Sequence, residues 1–126
     1  VHPAHPEKSD PTNNVHMNKG VVIKYHSGLS YTTEGLSASI FKAICNKAGV
    51  CYQDYTNRSD LRGGSTLGRI QLEKLSVKAI DIGLAQLAMH SSNETAGAKD
   101  IKDMVLALKE FYLSDIEING LSINLK

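Results

Sequence analysis

Three short β-rich runs alternate with three predicted helices, of which two are long and amphipathic, and this alternation constrains the fold more than any other feature of the sequence. Apolar residues recur at helical spacing along Thr33–Ala48 and Ile101–Tyr112, and a short helix is predicted near Thr66–Leu75. The three predicted strands are Gly20–His26, Val50–Thr56 and Val77–Ile82. Elements in this order predict an α/β fold, with a mostly parallel sheet and flanking helices.

Capping and turn residues indicate where these elements end. Thr33 is the predicted N-cap of the first helix and Gly49 its C-terminal stop, while Ser91–Thr95 offers several caps for the last helix. Asn119-Gly120, between two short apolar runs, predicts a terminal β-hairpin with a type I′ turn. We therefore expect a loop at 1–19, an α/β unit at 20–114 and a hairpin with a tail at 115–126.

Length, charge and cysteine content exclude some classes of protein. The 126 residues suffice for one domain, and the net charge of +1 gives no reason to expect nucleic acid or a membrane surface as a partner. No apolar run approaches the roughly 20 residues that span a bilayer, and we expect no signal peptide. Cys45 and Cys51 are expected to be free thiols, which suits the cytoplasm. Because the chain starts at Val1 without an initiator methionine, we expect a piece of a longer protein.

Two local patterns could carry chemistry but also have simpler explanations. His2, His5 and His16 lie in the proline-containing amino-terminal segment, where a metal tract and an ordinary loop are both consistent with the spacing. Gly63–Thr66 opens a predicted helix, so its backbone amides could face an anion or could simply form a capping turn.

Two single residues are candidates because they follow predicted strands. Lys24 ends an apolar strand, where its ammonium could contact a carboxylate or extend to solvent. His90 lies in the stretch Ile80–Thr95, just past the third predicted strand. Ligands of open α/β sheets bind at the carboxyl ends of strands, although loop histidines without a function are common.

Four phrases of the sequence, taken in order and spacing, resemble the C-terminal part of the aspartyl aminopeptidase family. The resemblance extends from about Val1 to Tyr112. The phrases are Val-His-Pro-Ala-His-Pro-Glu-Lys, Val-Val-Ile-Lys, Asn-Arg-Ser-Asp-Leu-Arg-Gly-Gly-Ser-Thr-Leu-Gly and Asp-Ile-Gly-Leu-Ala-Gln-Leu-Ala-Met-His-Ser.

The resemblance implies a function and two site residues. The family comprises cytosolic exopeptidases with two zinc ions per active site, which remove acidic N-terminal residues from peptides and form tetrahedral dodecamers. His90 corresponds to the family's last zinc ligand. Lys24 corresponds to a residue that contacts the substrate and favours an acidic side chain. Asp81 is a candidate acceptor for the second ring nitrogen of His90.

The resemblance also implies that most of the active site lies elsewhere. The family's other zinc ligands and its glutamate general base precede the segment that this chain resembles, so we expect the chain alone to be inactive. The alternative is a non-catalytic α/β interaction module, or a fragment that self-associates through bare sheet edges. An anion-binding domain that uses Gly63–Thr66 is a third hypothesis.

Overall fold

The computed structural model describes residues 5–58, 60, 64–120 and 122–126, and it contains three helices and seven short strands in these ranges, besides a single 3-10 turn at Pro6–Lys8. The elements are β1 (Val21–Tyr25), α1 (Gly35–Ala48), β2 (Tyr52–Thr56), α2 (Leu67–Leu72), β3 (Ile82–Gly83), β4 (Gln86–Leu87), β5 (Thr95–Ala96), α3 (Ala98–Leu113), β6 (Ile116–Asn119) and β7 (Ser122–Leu125). The α/β class and the terminal hairpin are confirmed. None of the helices in these ranges is long and apolar enough to cross a membrane.

The main sheet is mixed, so the prediction of a mostly parallel sheet is not confirmed for the described residues. Strand β1 lies in the centre and pairs in parallel with β2, from Val21↔Tyr52 to Tyr25↔Thr56. On its other side, β1 pairs antiparallel with β3 through Val22↔Gly83. Only the last residue of the predicted strand Val77–Ile82 belongs to β3.

The path of the chain between β2 and β3 explains this antiparallel pairing. Helix α2 has only six residues. Thr66 and Asp81, on either side of α2, both bond to the loop that follows β1: Thr66 N–H to the Ser30 carbonyl at 3.4 Å, and Asp81 Oδ2 with Thr32 N–H at 2.7 Å. The chain therefore stays at the carboxyl end of β1 instead of crossing the sheet, and β3 enters from that end.

Both long helices pack on one face of the sheet. Successive strand residues point to opposite faces, so Val21 and Ile23 face one side and Val22 faces the other. The first pair packs with Phe41 of α1 and Ala107 of α3 in the main core cluster. The prediction of flanking helices is confirmed for this face, and the opposite face is where Lys24 lies.

Helix α1 begins and ends close to the predicted residues. Its N-cap is Glu34 and not Thr33: Ser37 Oγ accepts the Glu34 N–H at 3.1 Å, whereas the Thr33 hydroxyl accepts the N–H of Asp81 at 2.9 Å. The predicted stop at Gly49 is confirmed, and this residue has the left-handed φ of 68° that glycine adopts without cost.

A distant loop residue, and not the predicted segment Ser91–Thr95, caps helix α3. The N-cap position is Gly97, and the Lys99 N–H donates to Asn18 Oδ1 at 3.1 Å. The buried carboxylate of Asp100 joins the same two segments, because its oxygens accept the N–H groups of Asn18 at 2.6 Å and Gly20 at 2.7 Å. A tertiary contact has therefore replaced the local cap.

The face of α3 that packs inward differs from the predicted apolar stripe. Asp100, Asp103 and Ala107 are buried, whereas three residues of the stripe are exposed: Ile101 by 51%, Val105 by 60% and Tyr112 by 80%. The two buried aspartates bond to backbone amides and to Lys99, and these bonds offset the cost of their burial.

The terminal hairpin forms with its turn moved by one residue. Asn119 pairs with Ser122 and Ile118 with Ile123, so the connection begins at Gly120 and not at Asn119. This register continues to Asp115 and Lys126, which exchange two backbone hydrogen bonds at 3.0–3.1 Å. Gly120 has a φ of 62°, and the turn's second residue, Leu121, lies outside the described residues.

Candidate functional site

A pocket of about 390 Å³ lies against the sheet face opposite the helices. Strand β1 supplies Val22 and Lys24, and β2 supplies Tyr55, which pairs with Lys24 in the parallel register. The chain from Gly83 to Met89 forms another wall of the pocket. The amino-terminal loop contributes Val15, which packs with Val22. In the structure, Lys24 and the segment that leads to His90 therefore line the same pocket.

Lys24 is half-buried in this pocket, and its side chain lies over Gly83. A Cβ atom added at Gly83 would lie 2.9 Å from Cε and 3.1 Å from Nζ of Lys24, so the glycine makes room for the ammonium group. The Nζ atom lies 5.8 Å from the centre of the Tyr31 ring. Among the described residues, no ion pair includes Lys24. The charge is therefore available to an anionic ligand.

Two tyrosines lie beside Lys24, and the sequence analysis did not identify them. Tyr31 and Tyr55 both line the pocket. Burial raises the pKa of each phenol, and for Tyr31 the nearby Tyr55 and Asp81 raise the pKa further. Both phenols therefore keep their protons and can donate hydrogen bonds at neutral pH. The parallel register of β1 and β2 could have indicated Tyr55, whereas Tyr31 lies in a loop without a local signal.

His90 lies at the tip of the loop between β4 and β5. A hydrogen bond of 3.0 Å from Ser91 N–H to the Ala88 carbonyl closes a β-turn in which His90 is the third residue. His90 has a φ of 70°, in the left-handed region that costs an ordinary residue roughly 1–2 kcal/mol. Its backbone N–H donates to a carboxylate oxygen of Glu94. The histidine is exposed, and its neighbours Ala88 and Met89 line the pocket.

The chain reaches His90 by a different path from the predicted one. The turn of His90 adjoins the pocket that contains Lys24. However, the expected path was a loop at the carboxyl ends of parallel strands. Because β3 runs antiparallel to β1, the chain leaves the sheet beside Val22, in the amino-terminal half of β1.

The carboxylate of Asp81 serves a different purpose from the predicted one. Its Oδ2 atom accepts the Thr32 N–H at 2.7 Å, the Thr32 hydroxyl at 3.0 Å and the Thr66 hydroxyl at 3.1 Å. These bonds join the loops at the carboxyl end of β1. Since no bond to His90 is present among the described residues, the suggestion that Asp81 orients the imidazole of His90 is not supported.

The remaining candidates are not brought together as binding sites. His5 Nδ1 lies 3.1 Å from Glu7 Oε1, His16 is exposed, and His2 lies outside the described residues. Within 5–58, 60, 64–120 and 122–126, no group of three or more histidine, cysteine, aspartate or glutamate residues could hold a metal ion. His90 can thus supply one ligand only.

The predicted anion-binding turn is also engaged in internal contacts. Gly63 lies outside the described residues, and Thr66 donates its hydroxyl to the carboxylate of Asp81. The negative charge of the Asp81 carboxylate beside this turn would repel an anionic ligand. This contact disfavours the anion-binding hypothesis.

Both thiols are free, as predicted, but their environments differ. Cys45 is buried and Cys51 is exposed. Burial, together with the charge of Asp103, raises the pKa of the Cys45 thiol to about 11. Cys45 is therefore a protonated core residue at neutral pH.

Comparisons with known proteins agree on one family. The family model described as "Aminopeptidase I zinc metalloprotease (M18)" matches residues 1–112. A probable M18 family aminopeptidase 2 from Clostridium novyi is 48% identical over 112 residues, which cover 89% of this chain and 26% of the relative. The chain thus spans about a quarter of the length of this curated relative.

Solved structures have the same fold. The cryo-EM structure of the Ape4 and Nbr1 complex matches with a TM-score of 0.85 and 31% identity, covering 88% of this chain and 21% of the other. The structure of the Saccharomyces cerevisiae mApe1 dodecamer matches with a TM-score of 0.75 and 22% identity, covering 90% and 24%. Since the family model matches most of the chain, this protein belongs to the M18 family of zinc metallopeptidases.

Proposed function

We propose that this chain supplies the substrate-recognition residue and one metal ligand of a zinc aminopeptidase that removes Asp or Glu from the N-termini of peptides. One observation carries this proposal: a half-buried ammonium group, Lys24, faces a pocket without a carboxylate partner among the described residues. An acidic side chain of the substrate would supply the missing negative charge.

The two site residues would have separate roles. The ammonium group of Lys24 would bind the side-chain carboxylate of the substrate, while the phenols of Tyr31 and Tyr55 donate hydrogen bonds in the same pocket. His90, as a neutral imidazole, would hold zinc through one ring nitrogen. Two zinc ions per site would activate water and polarise the scissile carbonyl group.

The chain alone is expected to be inactive and to bind zinc weakly. His90 provides one ligand, whereas zinc sites in enzymes use three or more protein ligands. The remaining ligands and the general base would come from the part of the protein that corresponds to the unmatched three-quarters of the relatives. We also propose a cytoplasmic location, since the exposed thiol of Cys51 suits a reducing compartment.

Assembly into a homo-oligomer, a tetrahedral dodecamer in the complete enzyme, is part of the same proposal. Its support is the likeness in fold to the mApe1 dodecamer. Sedimentation velocity tests this assembly in a hybrid enzyme that carries this chain in place of the matched segment of the Clostridium novyi relative. A monomer with full activity would contradict it.

The metal role of His90 is tested in a hybrid enzyme, in which this chain replaces the matched segment of the Clostridium novyi relative. We expect His90→Ala to remove one zinc ion per subunit and to abolish peptide hydrolysis, while far-ultraviolet circular dichroism stays unchanged. His16→Ala, which removes another exposed histidine, is the matched control. Full zinc content and activity in the His90→Ala hybrid would refute the assignment.

The role of Lys24 is tested by the selectivity of the same hybrid. A charge-assisted hydrogen bond contributes roughly 1.5–3 kcal/mol, so Lys24→Ala should lower kcat/KM on N-terminal Asp and Glu peptides by about one to two orders of magnitude. Activity on neutral N-terminal residues should fall much less, and Lys109→Ala on α3 is the control. Equal losses on all substrates would mean that Lys24 is only structural.

A non-catalytic interaction module is the second candidate function. The exposed apolar residues Ile101, Val105 and Tyr112 of α3 favour it, because contiguous apolar patches often mark interfaces. This function predicts that the hybrid is inactive and that the chain self-associates. Val105→Asp should then abolish the association in sedimentation experiments.

A further inference from the structure

The backbone N–H of His90 needs a hydrogen-bond acceptor from outside its turn. In a β-turn, the fourth residue donates to the first, here Ser91 to Ala88, and the N–H groups of the two central residues have no partner within the turn. His90 is the third residue and has a left-handed backbone, where glycine or asparagine is the usual choice. The turn is therefore supported by the outside group that accepts this N–H.

Glu94 provides this support from across the loop. Its Oε1 atom accepts the N–H of His90, and its Oε2 atom accepts the side-chain amide of Gln86 at 3.3 Å. The pairing Leu87↔Thr95 between β4 and β5 brings Glu94 next to the turn. One carboxylate thus connects the tip of the loop to the strand from which the loop departs.

We propose that Glu94 is a positioning residue that holds His90 in the left-handed conformation in which its imidazole is presented to zinc. This inference rests on the proposed metal role of His90. A change of φ from positive to negative values would rotate the Cα–Cβ bond relative to the turn, and the imidazole ring would move away from the position in which it could bind zinc. Glu94 acts through the backbone of His90 and touches neither metal nor substrate.

The contact itself is tested in the 126-residue chain by nuclear magnetic resonance. In the unmodified chain, the His90 amide proton should resonate downfield and exchange slowly with solvent, because it donates to a charged acceptor. Glu94→Ala should shift this signal upfield and accelerate its exchange. Glu94→Gln keeps an acceptor oxygen and should give an intermediate signal. Glu73→Ala, which removes an exposed carboxylate at the end of α2, should leave the signal unchanged.

The positioning role is tested by zinc affinity in the hybrid enzyme. Loss of a residue that orients a metal ligand typically weakens metal binding 10–100-fold, so we expect a loss of about this size for Glu94→Ala. Glu94→Gln should restore part of the affinity, and the melting temperature should change little, because Glu94 is exposed.

The outcomes separate this inference from the proposed function. An unchanged His90 amide signal in Glu94→Ala would overturn the contact, whatever His90 does. A changed signal with unaltered zinc affinity, in a hybrid that loses zinc on His90→Ala, would overturn the positioning role and leave the proposed function intact. Zinc retention in His90→Ala would overturn both.

Discussion

Replacing Asp100 by asparagine should destabilise the chain without changing the volume of any side chain. Asp100 is fully buried, and each of its two carboxylate oxygens accepts one backbone N–H, from Asn18 at 2.6 Å and from Gly20 at 2.7 Å. The asparagine amide has one oxygen and one NH₂ group. In either orientation of this amide, one of the two backbone N–H groups faces the NH₂ group, which is a donor and cannot accept its hydrogen.

The magnitude follows from these two hydrogen bonds. A hydrogen bond to a charged group contributes about 1.5–3 kcal/mol, and a buried N–H without an acceptor costs about 1–3 kcal/mol. The surviving bond also loses its charge, while local relaxation recovers part of the loss. We therefore expect Asp100→Asn to lower the free energy of unfolding by about 2–4 kcal/mol, a large part of the 5–15 kcal/mol typical of a domain.

Urea unfolding followed by circular dichroism measures this change. The midpoint should fall while the slope m stays constant, since the surface exposed on unfolding is unaltered. Asp10→Asn is the matched control, because all the hydrogen bonds to Asp10 reach the single oxygen Oδ1, which the amide retains. A loss below about 0.5 kcal/mol for Asp100→Asn, the level of an ordinary surface substitution, would refute the reasoning.

Three further predictions concern three glycines and a thiol. Gly20→Ala should lower the free energy of unfolding by about 3 kcal/mol or more, because φ is 107° and the new Cβ would lie 2.2 Å from a backbone oxygen. Gly120→Ala, whose new Cβ has no atom within 4 Å, should lower it by about 1 kcal/mol, and urea unfolding measures both changes. Gly83→Ala should leave stability nearly unchanged but displace the Lys24 ammonium group, and so reduce hydrolysis of acidic substrates by the hybrid; undiminished selectivity would contradict this. Because the folded state raises the pKa of Cys45 from 9.0 to about 11, the unfolded thiol loses its proton first, so stability should decline between pH 9 and 11. Cys45→Ala should remove this part of the decline, and identical pH profiles would contradict the assignment.

The sequence predicted the elements better than their arrangement. The helical spacing located α1 and α3, because apolar residues that recur every three to four positions are typical of an amphipathic helix. It indicated the wrong inward face of α3, since the partners of Asp100 lie 80 and 82 residues away in the chain. The antiparallel pairing of β3 was not predicted, for a similar reason: the bonds between Thr66 or Asp81 and the loop after β1 are long-range contacts that no local pattern reveals.

The candidate site was predicted in part. The side chain of Lys24 and the turn of His90 adjoin one pocket, but the chain leaves the sheet beside Val22 and not at the carboxyl end of β1. The partners of these residues were not predicted. Tyr31 lies in an irregular loop, and the contact of Glu94 with His90 depends on a turn conformation that histidine seldom adopts.

The left-handed turn at His90 sets folding and function against each other. Glycine adopts a φ of 70° without steric cost, so His90→Gly should be more stable than both His90→Ala and the native chain. Selection for thermal stability alone, in a library randomised at this position, should therefore enrich glycine and discard the imidazole. Selection for zinc binding in the hybrid should restore histidine. On our proposal, histidine is therefore retained at position 90 because it binds zinc, although glycine would make the chain more stable.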